Sequence, residues 1–301
     1  MTSPDTSPAQ PEPFGFLNIR KPPGPTSHDM VYKVRKLLPR GVKVGHAGTL
    51  DPFADGVLVV CVGPATRLAD RVQDSPKRYL AQITLGQTST TDDTEGAVTP
   101  TPGAVAPSLD AVQAVLPRFV GEIQQAPPAH SAVWIDGRRA YDLARKGEQV
   151  EMAARPVTIH SAAVVRYDYP LLELDVACGS GTYIRSLARD VGAALGVGGY
   201  CTALTRTAVG QFTLDRAVTL DRLDLARDLQ PPLLAVTDLP RAVVKPEQAA
   251  DLLLGRSVTP QEDVPPAGEA VAVDTDGKLL ALGSIRYDGM FQPSKVFAQK
   301  E

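Results

Sequence analysis

A continuous apolar run, Val-Leu-Val-Val-Cys-Val at residues 57–62, restricts what this chain can fold into more than any other segment. Gly56 and Gly63 bound the run. A strand with one face in water alternates apolar and polar residues, whereas a run without polar positions is typical of a strand that is buried on both faces. We therefore expect residues 57–62 to form a strand with protein packed on both of its sides.

Other segments show weaker strand and helix patterns. Short or alternating apolar runs predict strands at residues 14–19, 79–85, 171–178, 270–273 and 279–285. Helical spacing of apolar residues predicts helices at residues 30–38, 109–120 and 184–195. Thr26 and Ser27 are candidate N-caps of the first helix, which Pro39 and Gly41 end. The polar stretch 88–94 is expected to be a loop.

Cysteine usage and hydropathy limit the class of protein. The three cysteines, Cys61, Cys178 and Cys201, lie far apart and form no Cys-x-x-Cys pair. They favour reduced, buried thiols in a cytoplasmic protein over a zinc ribbon or a redox motif. No apolar run approaches the ~20 residues that a membrane-spanning helix needs. Residues 1–13 lack an apolar signal core, so we expect a short disordered tail there rather than an export signal.

Positive charge is concentrated in one segment, although the net charge of the chain is −3. Residues 16–50 contain one acidic side chain, Asp29, and carry a local charge of +6, which leaves −9 on the rest of the chain. The basic residues of this segment are Arg20, Lys21, Lys33, Arg35, Lys36, Arg40 and Lys43. This pattern fits a face that binds the phosphates of a nucleic acid, and it also fits a solvated helix face. Charge alone leaves both interpretations open.

Changes in composition predict how the chain is divided. Prolines at positions 231, 232 and 240 suggest a boundary, so we expect a large domain over residues 14–240 and a small β-rich domain over residues 241–301. Within residues 124–155, an isolated Trp134 and a dense set of basic residues indicate an inserted arm.

Asp51 is the strongest candidate for a chemical role. A glycine-rich loop precedes it and the apolar run follows it, while Pro52 disfavours a helical conformation at Asp51. A carboxylate that is held rigidly at the end of a buried strand is suited to catalysis. On this pattern alone, an aspartate that stabilises a turn is the more common alternative.

Four motifs together are more specific. Residues 45–52, Gly-His-Ala-Gly-Thr-Leu-Asp-Pro, closely resemble the signature of the TruB family, the bacterial tRNA pseudouridine-55 synthases. Residues 21–27, Lys-Pro-Pro-Gly-Pro-Thr-Ser, residues 77–79, Lys-Arg-Tyr, and residues 181–187, Gly-Thr-Tyr-Ile-Arg-Ser-Leu, resemble other motifs of the same family. Their order and spacing also fit, so the chain is similar to this family from about residue 14 onwards.

The resemblance implies roles for seven residues. Asp51 would be the catalytic carboxylate, Arg185 would pair with it and keep it ionised, and Tyr79 would stack beside the target uracil. The remaining substrate-binding residues would be His46, which contacts the T loop of the tRNA, Tyr183 and Leu204, which line the pocket, and Lys21 of the first motif.

The implied reaction needs no cofactor or metal. The bond between C1′ and N1 of a uridine breaks, the base rotates, and C5 bonds to C1′, with no redox change and no transfer of a group to another molecule. An aspartate serves this reaction as a nucleophile on C1′ or as a base on a sugar proton, and both routes stay open. A guanidinium favours the ionised carboxylate and orients it through two contacts that a lysine does not reproduce.

The resemblance also implies an α+β fold. The family has a central, mainly antiparallel mixed sheet flanked by helices, and residues from about 241 resemble a PUA-like module. Residues 124–155 resemble the insertion that clasps RNA. The chain departs from the family pattern at His130 and Trp134 in that insertion, and at Arg20 and Arg67 outside it.

We therefore expect a monomeric, cytoplasmic enzyme that acts on the T stem-loop of tRNA without an obligatory protein partner. A non-catalytic tRNA-binding or tRNA-folding protein on the same scaffold is the alternative, but it would not need Asp51, Tyr79 and Arg185. A guide-RNA-dependent relative within a multi-protein particle is less favoured, because the arm suits a self-sufficient enzyme. A nucleotide-binding metabolic enzyme lacks support, because the sequence has no Gly-x-Gly-x-x-Gly or Walker motif.

Overall fold

The apolar run lies in a strand, Asp55–Val62, that is buried on both faces as expected. The computed structural model describes residues 12–128, 134–135, 138–139 and 152–297. Residues 58, 60 and 62 belong to one buried apolar cluster, and residues 57, 59 and 61 belong to a second cluster on the opposite face. Because side chains alternate across a strand, packing on both sides leaves no position for a polar residue.

In the described part of the chain, ten strands form one large sheet in the order β14-β1-β3-β12-β4-β11-β10-β7, with β2 paired to β3 and β13 paired to β12. Its strands are β1 Gly15–Lys21, β2 Val44–His46, β3 Asp55–Val62, β4 Lys77–Leu85, β7 Gly121–Gln125, β10 Arg155–Asp168, β11 Leu171–Cys178, β12 Gly199–Val209, β13 Phe212–Thr213 and β14 Leu229–Gln230. Only β3 and β12 pair in parallel among these strands. The expected mainly antiparallel mixed sheet of an α+β protein is confirmed.

The other described strands form a C-terminal sheet and two short hairpins. The C-terminal sheet has the order β15-β16-β17-β18. The strands are β5 Gln87–Ser89 with β6 Val98–Pro100, β8 Trp134–Ile135 with β9 Arg138–Arg139, and β15 Arg241–Val243, β16 Ala267–Val273, β17 Leu279–Ile285 and β18 Phe291–Val296. The strands expected at residues 270–273 and 279–285 are confirmed.

Helices cover the large sheet. The α-helices of the described residues are α1 Ser27–Arg35, α2 Ala69–Asp74, α3 Leu109–Val115, α4 Ile184–Ala194, α5 Leu225–Asp228 and α6 Ala249–Leu253. Short 3-10 helices are Gly63–Leu68, Leu116–Phe119, Leu214–Arg216, Pro232–Ala235 and Pro246–Gln248. Helices α3 and α4 pack with β4, β11 and β12 in one apolar cluster, while α1 packs with β1 and β3 in another.

The first helix starts where its capping residues indicate and ends earlier than expected. The Thr26 hydroxyl accepts from the backbone N–H of Asp29 at 3.0 Å, and the Asp29 carboxylate accepts from the backbone N–H of Thr26 at 2.9 Å, which forms a capping box. The helix ends at Arg35 because the N–H of Leu37 bonds to the Val34 carbonyl, three residues back, and tightens the chain.

Two further expectations from the sequence need correction. The helix expected at residues 109–120 is divided into α3 and a 3-10 helix, since Pro117 supplies no N–H to continue an α-helix. The stretch 88–94, expected to be a loop, begins within β5, which pairs with β6.

The predicted arm starts and ends at facing positions of the large sheet. Gln125, the last residue of β7, pairs with Arg155, the first residue of β10. Between them the structure describes residues 126–128, the hairpin of β8 and β9, and residues 152–154. His130 lies outside the described residues, and the expected RNA-clasping role of this arm stays a prediction.

The C-terminal sheet packs against the large sheet. Phe297 stacks on Phe14 with ring centroids 5.4 Å apart, and both sheets contribute to one apolar cluster. The Arg67 guanidinium lies 4.9 Å from the Phe297 ring and donates to the Val296 carbonyl at 2.7 Å. Arg67, one of the departures from the family pattern, thus joins the two sheets. The domain division at residue 240 and the PUA-like character of the C-terminal sheet stay predictions.

Two expectations from composition can be compared with the structure. Cys61, Cys178 and Cys201 are buried free thiols, as expected. Among the described helices, none has the length and apolar character to cross a membrane. The tail expected at residues 1–13 lies mostly outside the described residues.

A substitution at Gly192 tests the close contact between α4 and the start of β12. A Cβ at this position would lie 2.3 Å from the backbone of Gly198 and Gly199. Alanine normally stabilises a helix interior relative to glycine by about 1 kcal/mol. Here the clash is with backbone that cannot rotate away, so Gly192→Ala should lower the free energy of unfolding by about 1–3 kcal/mol, measured by urea denaturation. The control is Gly179→Ala, whose Cβ would lie 3.6 Å from its nearest neighbour, the Thr158 carbonyl oxygen. Equal stability of Gly192→Ala and the parent would contradict this packing argument.

Candidate active site

The backbone around Asp51 is held by the loop at residues 21–27. The Ser27 hydroxyl donates to the Leu50 carbonyl at 3.0 Å and accepts from the Leu50 N–H at 2.9 Å. On the other side of Asp51, the Gly24 N–H donates to the Pro52 carbonyl at 2.8 Å. Two of the four motifs therefore form one structure, in which the residues before and after Asp51 are both fixed.

Lys21 lies beneath this junction and is fully buried. Its ammonium donates to the carbonyls of Pro22 at 2.9 Å, Pro25 at 2.9 Å and Pro52 at 3.1 Å. Burial lowers the pKa of Lys21 to about 8, although the charges of Asp51 and Asp55 oppose this shift. The contacts favour a role in shaping the loop, and the substrate-binding role expected for Lys21 stays a prediction.

Arg185, in the first turn of α4, approaches both oxygens of Asp51. Its Nε lies 3.0 Å from Asp51 Oδ2, and its Nη2 donates to Asp51 Oδ1 at 3.1 Å. The Arg185 side chain is 6% exposed, whereas the Asp51 side chain is 32% exposed. The guanidinium is thus shielded from water while the carboxylate keeps an accessible side, which leaves room for a substrate.

A second carboxylate, Asp93, holds the opposite edge of the same guanidinium. Arg185 Nη1 donates to Asp93 Oδ2 at 2.8 Å and to the Thr91 carbonyl at 3.2 Å. The other oxygen of Asp93 accepts from the Thr91 hydroxyl and from the Glu95 N–H at 2.9 Å. Sequence reasoning missed Asp93, because a polar stretch with two adjacent aspartates gives no sign of which one turns inward.

The charges in this cluster are coupled. Burial alone would lower the pKa of Arg185, but the carboxylates of Asp51 and Asp93 outweigh it and the pKa is raised. One permanent cation therefore lies between two aspartates. The three guanidinium nitrogens of Arg185 bind two carboxylates, so its side chain has little rotational freedom. Asp51 is therefore held in one orientation.

Arg206 is a further buried cation, and sequence reasoning did not single it out. It is 2% exposed and lies opposite Tyr79 where β12 pairs with β4. Its guanidinium donates to the carbonyls of Val57 at 2.7 Å, Thr49 at 3.0 Å and Gly48 at 3.1 Å. Arg206 therefore fixes the glycine-rich loop that leads to Asp51.

Apolar residues form the wall beside Asp51. Tyr79 and Leu204 are buried in one cluster with Leu50, the residue that precedes Asp51. Burial raises the pKa of the Tyr79 hydroxyl, with Arg206 opposing, so this ring is a neutral surface. The structure thus brings Tyr79 and Leu204 into one cluster with the neighbour of Asp51, and their expected contacts with substrate stay predictions.

The backbone of Tyr183 is clamped by a buried glutamine. Gln125 Oε1 accepts from the Tyr183 N–H at 2.8 Å, and Gln125 Nε2 donates to the Tyr183 carbonyl at 3.1 Å. Tyr183 is the N-cap residue of α4, so this clamp fixes the start of the helix that carries Arg185. The expected contact of the Tyr183 side chain with substrate stays a prediction.

His46 occupies the end of β2, opposite Val60 of β3. Burial lowers the pKa of His46, and the positive charge of Arg206 adds to this effect. Its Nδ1 is buried and bonds to no group among the described residues. The structure therefore places a neutral imidazole near the glycine-rich loop, and its contact with RNA stays a prediction.

Most of the basic residues in the segment 16–50 are exposed, with Lys21 the exception. Arg20 lies 3.4 Å from Asp55 Oδ2 in an ion pair at the surface. Across residues 12–128 and 152–297, no group of three histidine, cysteine, aspartate or glutamate side chains is arranged as metal ligands. The arrangement around Asp51 thus offers a carboxylate, a guanidinium and an aromatic ring as its chemical groups.

Comparisons with known proteins show which family the chain resembles. The family model described as TruB family pseudouridylate synthase (N terminal domain) matches residues 35–184, and that described as tRNA pseudouridylate synthase B C-terminal domain matches residues 185–250. A tRNA pseudouridine synthase B of Microcystis aeruginosa is 44% identical over 280 residues, which are 90% of this chain and 94% of that protein. The protein of the same name from Thermobifida fusca is 45% identical over 293 residues, covering 94% of this chain and 98% of that protein. The crystal structure of a Cbf5-Nop10-Gar1 complex contains a chain with a TM-score of 0.70 and 27% identity, with 100% of this chain and 90% of that chain covered.

The lowered pKa of His46 predicts how stability depends on pH. Between the folded pKa of His46 and its ordinary value of 6.5, the unfolded chain binds more protons than the folded chain. Stability is therefore lost as the pH falls below about 6.5. The His46→Gln variant should lose less stability than the parent between about pH 7.5 and about pH 5, measured by urea denaturation. His160→Gln, which replaces an exposed histidine of β10, is the control. Parallel stability curves for the parent and His46→Gln would contradict the expectation.

Proposed function

The chain belongs to the TruB family of pseudouridine synthases, and from this membership we propose that it converts uridine to pseudouridine at position 55 in the T loop of tRNA. The relatives named tRNA pseudouridine synthase B cover nearly the whole chain and support both the reaction and the tRNA substrate. The catalytic role of Asp51 is part of the same proposal.

One observation carries this proposal: the two-point contact between Arg185 and Asp51. Both carboxylate oxygens lie within 3.1 Å of the guanidinium, and the carboxylate still has an exposed side. A protein that only bound or folded tRNA would have no use for an accessible carboxylate in a cluster that costs energy to bury. The pairing therefore favours the enzyme over the non-catalytic alternative.

Asp51 would act at the ribose of the target nucleotide. The C1′–N1 bond breaks and C5 of the same base bonds to C1′, while the proton on C5 is lost and N1 gains one, so the composition of the nucleotide is unchanged. In one route Asp51 attacks C1′ and is later displaced by C5; in the other it removes a sugar proton and returns it. Both routes require the ionised carboxylate that Arg185 favours and orients.

The target uridine would have to leave the stack of the T loop. Unstacking a base costs a few kcal/mol, and stacking on an aromatic side chain returns about 1–3 kcal/mol. Tyr79 supplies a neutral ring in the apolar wall beside Asp51. Leu204 closes the same wall, which keeps water away from the reacting sugar.

We further propose that the chain works in the cytoplasm as a monomer without an obligatory protein partner. Its identity to the tRNA pseudouridine synthase B relatives is 44–45%, compared with 27% to the chain of the Cbf5-Nop10-Gar1 complex. This difference supports a stand-alone enzyme over a component of a larger particle. The exposed basic residues of the segment 16–50 would contribute to the binding of RNA phosphates.

Replacing the carboxylate tests the proposed catalyst. Asp51→Asn keeps the size of the side chain and removes its charge, so it should abolish pseudouridine formation while the variant still binds tRNA. Pseudouridine is mapped by carbodiimide adducts on an unmodified tRNA transcript, and tRNA binding is measured by filter retention. Asp175→Asn, which removes an aspartate paired with Arg78 away from Asp51, is the control and should react like the parent. Turnover of Asp51→Asn near that of the parent would refute the role of Asp51.

Replacing the guanidinium tests the two-point contact. Arg185→Lys keeps a positive charge but offers a single ammonium to Asp51 and Asp93, so the orientation of Asp51 is lost. We expect the rate of pseudouridine formation to fall by about 100-fold or more, while the midpoint of thermal unfolding shows that the variant is folded. A folded Arg185→Lys variant with the activity of the parent would show that paired contacts are not needed.

A further inference from the structure

A second ion pair lies one helical turn beyond Arg185. Arg189 of α4 follows Arg185 by four residues and therefore faces the same side of the helix. Arg185 binds Asp93, and Arg189 Nη1 donates to Asp92 Oδ2 at 2.8 Å. Two arginines of one helix thus hold two consecutive aspartates of one loop.

The loop contains a residue in a backbone conformation that is uncommon for side chains with a Cβ. Asp92 has a φ of 60°, and it is the only non-glycine residue with positive φ in the part of the chain that the structure describes. This left-handed conformation is unfavourable for a residue with a Cβ, although less so for aspartate and asparagine than for other residues, and surrounding contacts stabilise it. The contacts at Asp92 include the ion pair with Arg189, the hydrogen bond from the Asp92 N–H to the Ser89 carbonyl at 3.2 Å, and the hydrogen bond from the Cys201 N–H to the Asp92 carbonyl at 3.0 Å.

Arg189 also reaches the base of the predicted arm. Its Nη2 donates to the Ala126 carbonyl at 3.1 Å, and its Nε donates to Asp190 Oδ1 at 2.9 Å. The Ser186 hydroxyl donates to the same Ala126 carbonyl at 2.8 Å. Helix α4 is therefore tied to residue 126 and to the Asp92 loop through one side chain.

We propose that Arg189 is a positioning residue for the catalytic pair, an inference that rests on the proposed function. Arg189 holds Asp92 in its strained conformation, so that Asp93 presents its carboxylate to Arg185 and Arg185 stays aligned with Asp51. Arg189 has no contact with Asp51 and acts only through this loop. The anchor at Ala126 keeps Arg189 itself in place, because a guanidinium with three partners has little freedom to rotate.

The proposal separates two consequences of removing the ion pair. If Arg189 only stabilised the fold, replacing it would lower the midpoint of thermal unfolding. The folded variant would still form pseudouridine at the rate of the parent. If it positions the loop, the single-turnover rate of folded enzyme falls while tRNA affinity is kept. Glycine adopts positive φ without strain. With glycine at position 92, the rate should therefore depend less on the ion pair.

The experiment compares variants at both ends of the pair in a single-turnover assay on unmodified tRNA. Arg189→Met and Asp92→Ala should each slow pseudouridine formation roughly ten- to a hundredfold, with the dissociation constant for tRNA within about twofold of the parent. Asp92→Gly also removes the carboxylate but tolerates positive φ, so it should be several times faster than Asp92→Ala. Adding Asp92→Gly to Arg189→Met should recover most of the lost rate.

The control is Arg227→Met, which removes an arginine from an ion pair whose aspartate is about as buried, 16% exposed for Asp228 and 13% for Asp92. It should leave the single-turnover rate unchanged. A rate of folded Arg189→Met equal to that of the parent would overturn the proposal, and so would equal rates for Asp92→Ala and Asp92→Gly. If Arg189→Met fails to fold, the comparison between the rates of Asp92→Ala and Asp92→Gly still tests the proposal. Absence of product with the parent enzyme would instead refute the proposed function.

Discussion

The guanidinium of Arg185, shared between Asp51 and Asp93, is the interaction on which the rest of the site depends. A buried ion pair is costly to form, and removing one partner of such a pair costs about 3–5 kcal/mol because the other charge is left without compensation. Here the cation has acids on two edges and is nearly inaccessible to water, while Asp51 keeps a side open. The buried guanidinium of Arg185 therefore fixes the orientation of the Asp51 carboxylate, one side of which is still exposed.

Several polar side chains around this cluster hold the backbone in place. Lys21 and Arg206 donate hydrogen bonds to carbonyls of the two loops that meet at Asp51. Gln125 uses both ends of its amide on the peptide groups at the start of α4. Because buried carbonyls and N–H groups need partners, these polar side chains satisfy the loops and make them rigid at the same time. The fixed geometry of Asp51 and Arg185 thus depends on neighbouring residues that bind the backbone.

Sequence reasoning named Asp51 and Arg185 and missed several residues that hold them in place. Asp51 and Arg185 were identified by motifs whose order resembles a known family, and the pairing between them was implied by the same resemblance. Asp93 stood in a polar stretch with an adjacent aspartate, and neither periodicity nor spacing distinguishes an aspartate that turns inward from one that does not. Arg206 follows an alternating strand pattern in which a buried cation is not expected, since arginine is rarely buried without a partner.

The amino-acid sequence by itself determined that residues 57–62 form a strand buried on both faces, because only apolar side chains are tolerated when both sides are packed. It also determined the capped start of α1 and the local geometry at Asp51-Pro52, since these depend on neighbouring residues. The tertiary structure decided which charges meet. Asp51, Asp93 and Arg185 are separated by up to 134 positions in the chain, and they converge only when the loop before β3, the loop between β5 and β6 and helix α4 come together. Charge pairing acts over a few ångströms in space, and sequence distance carries no information about it.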